Sequence, residues 1–150
     1  MRPYVRALQA RKLTATAIDL PKSKAERAVP VFTQKVPPGA IAGGHSYGGR
    51  VASMAAVEMP FAALILLSYP LHRPGHPEYL RTEHWPKIRC PVLLLSGESD
   101  PFARVDLLGA SVRLLPQAEL LTFPRVGHGL LPVTDAAMDR VAEFVRGLRP

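Results

Sequence analysis

Short apolar runs alternate with longer amphipathic stretches along this chain. The runs Ala40 to His45, Ala62 to Tyr69, Val92 to Ser96 and Glu119 to Phe123 have strand length. Two of them, 62–69 and 92–96, are apolar at nearly every position, as in strands covered on both faces. Thr14 to Leu20 reads as a further strand ahead of these four. Helical patterns fill the spaces between. Residues 3–12 place Tyr4, Val5 and Leu8 on one side, and a short helical segment falls within 23–35. Tyr47 to Val57 stops before Pro60, and Phe102 to Leu115 is broken by Pro116. A last helix starts near Thr134, read as its N-cap, with Ala137, Val141, Phe144, Val145 and Leu148 at helical spacing. Residues 70–88 form a long loop rich in proline and histidine.

This alternation predicts an α/β fold. Its sheet is mostly parallel, has about five strands and is flanked by helices, in one domain over residues 1–150. There is no internal repeat and no low-complexity linker. In such sheets function gathers where strands end at their carboxyl edge. Candidate residues are therefore expected just after strands.

Composition narrows the classes. With 47% hydrophobic residues the chain can build a sizeable core, and its 16 prolines fall mostly between apolar runs. The net charge of +7 is spread out, without interleaved aromatics for base stacking, so nucleic acid is not the expected partner. Cys90 is the only cysteine, which excludes an intrachain disulfide, and its place before a strand suits a small buried hydrophobe. The basic N-terminal stretch lacks a signal peptide's continuous apolar region, and 61–67 is too short to span a bilayer. A soluble cytoplasmic protein without membrane attachment is the expectation.

Three positions carry chemistry. Gly44-His45-Ser46-Tyr47-Gly48 is G-x-S-x-G at a strand-to-helix junction. A tight turn there lifts the serine hydroxyl clear of the sheet, and the flanking glycines let strand and helix approach. The Tyr47 N–H and the helix N-terminus can then face a developing oxyanion. Taken alone the motif arises by chance, and a glycine-rich phosphate turn is the competing reading. A P-loop lysine and the G-x-G-x-x-G spacing are both missing. Asp100, in Gly97-Glu98-Ser99-Asp100-Pro101, follows the 92–96 strand. It reads locally as a turn former, with Glu98 as its competitor for an acidic role. His128 lies between Gly127 and Gly129 after the 119–123 strand. All three follow strands, in the order Ser, acid, His, which suits a serine activated by an imidazole that a carboxylate orients.

These residues resemble the small α/β hydrolases of the KANL3/Tex30 group, related to dienelactone hydrolase. The likeness is carried by the run 43–50, by Ser68-Tyr69-Pro70-Leu71-His72, by Leu80-Arg81-Thr82-Glu83-His84, and by the Asp100-Pro101 and Gly127-His128 steps. It implies a hydrolase fold with Ser46, Asp100 and His128 in the catalytic positions and Tyr47 as an oxyanion donor. His45, Tyr69, Leu71 and His72 become candidates for a substrate pocket wall. The reaction expected is cleavage of an ester or related acyl bond of a small molecule through an acyl-enzyme, without cofactor or metal. The histidines of the 70–88 loop match no common zinc spacing, and Arg50 and Arg81 read as solvated surface residues.

One departure stands out. Such hydrolases carry a further strand and a glycine-rich loop, the source of a second oxyanion donor, before the helix at 3–12. That strand would lie between 14–20 and 40–45. Its absence predicts a gap in the sheet and unpaired edges. Three arrangements accommodate this: a fragment or a start assigned too late, a sheet that re-pairs, or a second subunit covering the gap as a homodimer. Loss of one oxyanion donor costs about a hundredfold in rate, which predicts weak activity. It also leaves a non-catalytic scaffold or binding protein as the alternative function.

Overall fold

The computed structural model describes residues 1–148. Its helices are α1 (Arg2–Ala10), α2 (Ala25–Lys35), α3 (Tyr47–Ala55), α4 (Val105–Ser111) and α5 (Thr134–Gly147). Its strands are β1 (Ile41–His45), β2 (Ala63–Leu67), β3 (Val92–Gly97) and β4 (Ala118–Phe123). The strands form one parallel sheet in the order β1-β2-β3-β4. This is the α/β architecture expected, with four strands where about five were read. No helix among the described residues is long and apolar enough to cross a membrane.

The side-chain alternation of a strand divides the core into two layers. Leu64, Leu66, Val92 and Leu94 point to one face, where Phe32 of α2, Val51 and Ala52 of α3 and Leu108 of α4 cover them. Ala63, Leu67, Leu93 and Leu95 point to the other, under Tyr4 of α1 and Met138, Val141 and Phe144 of α5. Every residue of β3 is buried, because helices cover both of its faces and strands flank both of its edges. Burial of each such leucine stabilises the fold by about 1.5–3 kcal/mol.

Thr14 to Leu20 is not a strand. The run is locally β-like, but a strand needs a partner, and β1 ends the sheet without pairing to it. Ser46 N–H donates to the Leu67 carbonyl at 2.8 Å. By the alternation of a parallel ladder, Ala42 and Gly44 turn their backbone groups toward β2, and Ile41, Gly43 and His45 turn theirs away. A groove of about 290 Å³, with Leu8, Thr14, Thr16, Ile41, Gly43 and Val141 in its walls, separates β1 from the extended segment. The sheet therefore does not close by re-pairing.

Two helix starts also differ from the sequence reading. Residues 101–104 form a turn before α4 because Asp100 captures the Phe102 N–H (2.8 Å) and, through its carbonyl, the Ala103 N–H (3.2 Å). Thr134 is the first residue of α5 and not its cap. Its hydroxyl donates backwards to the Leu131 carbonyl at 2.8 Å, within the 3-10 turn Leu131–Val133 that leads into the helix.

Candidate active site

Ser46 sits between the last residue of β1 and the first of α3 with φ +52° and ψ −119°. This conformation is strained for a residue with a side chain, typically by about 1–3 kcal/mol. The surrounding structure holds it there. Gly44 is a steric necessity: a Cβ there would fall 2.3 Å from the Gly48 carbonyl carbon. Gly49 is the second close approach, with a Cβ position 2.9 Å from the Gly44 oxygen. Gly48 itself faces open space, so where strand meets helix the approach depends on glycines 44 and 49.

The three residues picked out from the sequence meet. Ser46 Oγ lies 2.8 Å from His128 Nε2, and His128 Nδ1 lies 2.8 Å from Asp100 Oδ2. The carboxylate can only accept, so Nδ1 carries the proton, and Nε2 is left to accept from the serine hydroxyl. The Asp100 side chain is fully buried, while that of His128 is 23% exposed. Phe102 N–H donates to Asp100 Oδ1 at 2.8 Å, which occupies the other oxygen. The Phe102 ring packs on the His128 ring at a centroid distance of 4.5 Å. Glu98 takes no part: it accepts from the Thr122 hydroxyl at 2.7 Å on the exposed side of the sheet end.

The loop that carries His128 is set by two contacts. Ser99 N–H donates to the Val126 carbonyl at 2.9 Å, which ties the loop to the strand end bearing Asp100. Leu130 N–H donates to the Tyr4 hydroxyl at 2.9 Å, a buried bond from α1 across most of the chain. Sequence reading missed Tyr4 and Phe102 as supports. An aromatic on an apolar helix face gives no signal of a hydroxyl reaching a distant loop.

The Tyr47 N–H opens α3 and makes no hydrogen bond among the described residues. The Tyr47 hydroxyl instead donates to the Ser23 carbonyl at 2.8 Å, away from the serine. His45 is wedged between the Tyr4 ring (5.5 Å) and the His128 ring (5.7 Å), with a buried Nε2 that has no partner. Burial holds its imidazole below the ordinary histidine value. His128 pushes in the same direction, and Asp100 opposes it.

Tyr69, Leu71 and His72, read from sequence as a pocket wall, are core residues at 1%, 0% and 2% exposure. Ser68, directly after β2, has φ +50°, and Tyr69 and Leu71 behind it belong to the core layer that holds Val51 and Trp85. Both ring nitrogens of His72 are taken by backbone, Nε2 by the Arg104 N–H at 3.0 Å and Nδ1 by the Arg73 carbonyl at 2.9 Å. Arg50 pairs loosely with Glu26 at 3.5 Å, and Arg81 donates to the Pro70 carbonyl at 3.3 Å.

Known structures share this fold. A monoacylglycerol lipase of Paleococcus ferrophilus superposes with a TM-score of 0.81 at 13% identity, over 98% of this chain and 88% of that one. A thermophilic esterase of Thermogutta terrifontis gives 0.70 at 17% identity, over 99% and 86%. A predicted CIB-like hydrolase of Thermoplasma acidophilum gives 0.69 at 17% identity, over 85% of this chain, and the chain spans 62% of that protein's length. At such identities the likeness shows the fold alone. The model of the family described as the alpha/beta hydrolase domain matches residues 3–145. That match takes in nearly every described residue, including the serine turn and the loops of Asp100 and His128, and the chain belongs to the α/β hydrolase domain family.

Proposed function

We propose that this protein is a serine hydrolase that cleaves an ester or related acyl bond of a small molecule, with Ser46, His128 and Asp100 as its catalytic triad. The observation that carries the reading is the unbroken chain of 2.8 Å contacts from Ser46 Oγ through His128 to a buried Asp100. A lone serine hydroxyl is a weak nucleophile, and a neutral imidazole at hydrogen-bond distance removes that weakness.

In this mechanism Ser46 Oγ attacks the acyl carbon as its proton passes to His128 Nε2. Asp100 keeps Nδ1 protonated and stabilises the imidazolium. The carbonyl oxygen, now negative, faces the free Tyr47 amide at the N-terminus of α3, where the helix end adds partial positive charge. The tetrahedral intermediate collapses, and the leaving group takes the proton from Nε2. Water, deprotonated by His128, then releases the acid and restores Ser46. Ester-cleaving relatives of the same fold, the monoacylglycerol lipase and the thermophilic esterase, favour an ester over other acyl bonds. A place within the KANL3/Tex30-like hydrolases, resting on the motif runs around Ser46 and Ser68, belongs to the same proposal. So does low turnover, because Tyr47 is the one oxyanion donor assigned.

The test is labelling by a fluorophosphonate probe. Wild type is expected to form the covalent adduct and Ser46→Ala to form none. Folded wild type that stays unlabelled, or labelling that survives in Ser46→Ala, would overturn the assignment.

A further inference from the structure

The segment that follows Asp100 is clamped by a single buried residue from another loop. His72 donates its backbone N–H to the Phe102 carbonyl at 3.0 Å, and its Nε2 accepts the Arg104 N–H at 3.0 Å. Because Nε2 accepts from a backbone amide it carries no hydrogen. Nδ1 carries it and donates to the Arg73 carbonyl at 2.9 Å. The two bonds to the 102–104 segment fall on either side of Ala103, which is itself buried. That segment is also what holds the acid and the base. Phe102 supplies the N–H on Asp100 Oδ1 and the ring against His128.

We infer that His72 is a positioning residue for Asp100 and His128: its ring nitrogen fixes the turn whose amide holds the carboxylate and whose aromatic ring backs the imidazole. Its kinetic consequence rests on the serine-hydrolase reading proposed above. His72 touches neither Ser46 nor His128. It acts through Phe102 and Arg104, and the property that matters is a hydrogen-bond acceptor at the Nε2 position in a buried place. A side chain of similar size without a strong acceptor leaves the Arg104 amide poorly satisfied, and the turn is free to shift.

The experiment compares His72→Met with His72→Gln, two side chains of similar length of which glutamine offers a strong amide acceptor and methionine only a weak thioether one. Hydrolysis of p-nitrophenyl acetate gives kcat, KM and the pH profile of kcat/KM. The downfield proton resonance of His128 Nδ1–H reads the Asp100 contact in the resting protein. For His72→Met we expect kcat to fall about ten- to a hundredfold with KM nearly unchanged, and for His72→Gln a loss of about threefold or less. The His128 resonance broadens away in His72→Met and persists in His72→Gln. Arg104→Pro is the second variant. It removes the donor while keeping His72, at a residue whose φ of −55° suits proline, and it should reproduce the methionine phenotype. Wild-type kcat, pH profile and His128 resonance in His72→Met would overturn the inference, as would equal damage from methionine and glutamine. If wild type hydrolyses no ester, the functional proposal fails on that result alone, and the resonance still decides the positioning role.

Discussion

Gly97, the last residue of β3, lies directly beneath the Val126 carbonyl: a Cβ on Gly97 would come within 2.1 Å of that oxygen and 2.4 Å of the Gly127 oxygen. Both obstacles are backbone, so no side chain can swing aside to make room. This approach lets the His128 loop descend onto the strand end, where Ser99 N–H meets the Val126 carbonyl and His128 meets Asp100.

Gly97→Ala should therefore disconnect the base from the acid while leaving most of the core untouched. Lifting the loop by the ångström or so that a methyl demands lengthens both contacts of His128. A misplacement of about 1 Å costs on the order of a hundredfold in rate. Fluorophosphonate labelling of Gly97→Ala is expected to slow to that extent, with the far-ultraviolet circular dichroism of the wild type retained. Labelling at the wild-type rate would show that the loop reaches His128's position without this close approach.

Much of this was legible in the chain because each element advertises itself locally. β2 and β3 are apolar at nearly every position, as strands buried on both faces must be, and their ends locate Asp100. Ser46 is announced by its glycines, and His128 by its place after β4. What stayed hidden is what depends on distant approach. Thr14 to Leu20 has β-like residues but no neighbour, and a strand is made by its partner. The hydroxyl of Tyr4 looks like ordinary core until the fold brings it to Leu130, and His72, read as a pocket wall, is a buried acceptor for the Arg104 amide. Tyr69 and Leu71 follow the strand end as read but lie within the core, because which residues of a loop the helices cover leaves no mark in the residue pattern.

The two glycines written into the serine motif are expected to respond oppositely. At Gly48 a Cβ meets nothing within 4 Å, and the residue lies inside α3, where glycine is about 0.5–1 kcal/mol less favourable than alanine. Gly48→Ala should keep probe labelling and raise the urea midpoint by a matching amount. At Gly44 the same methyl would sit 2.5 Å from both the Gly48 oxygen and the Gly49 nitrogen. Gly44→Ala should fail to yield folded protein, or lose labelling together with stability. Equal outcomes for the two variants would contradict the packing described for this turn.

Two half-buried imidazoles make stability depend on pH in a window above the carboxylates. His45 is held below its ordinary value chiefly by burial, then by His128, with Asp100 opposing. His84 is lowered chiefly by burial, with Arg50 adding to this and Glu83 opposing, and its Nε2 lies 2.8 Å from Ser53 Oγ. In the unfolded chain both would titrate near the ordinary histidine value of 6.5. Between that value and the lower folded ones the unfolded state binds more protons, so folding weakens as pH falls. The contribution of these groups is thus intact above the unfolded value and is lost progressively below it. Urea unfolding should show a plateau at neutral and mildly alkaline pH, then a decline that begins well before carboxylates titrate near pH 4. His84→Gln, whose amide can still donate to Ser53, cannot titrate and should flatten part of that decline. His45→Gln should flatten a further part, because its neighbours His128 and Asp100 remain in place. A decline of wild-type steepness in the double variant would assign the dependence to other groups.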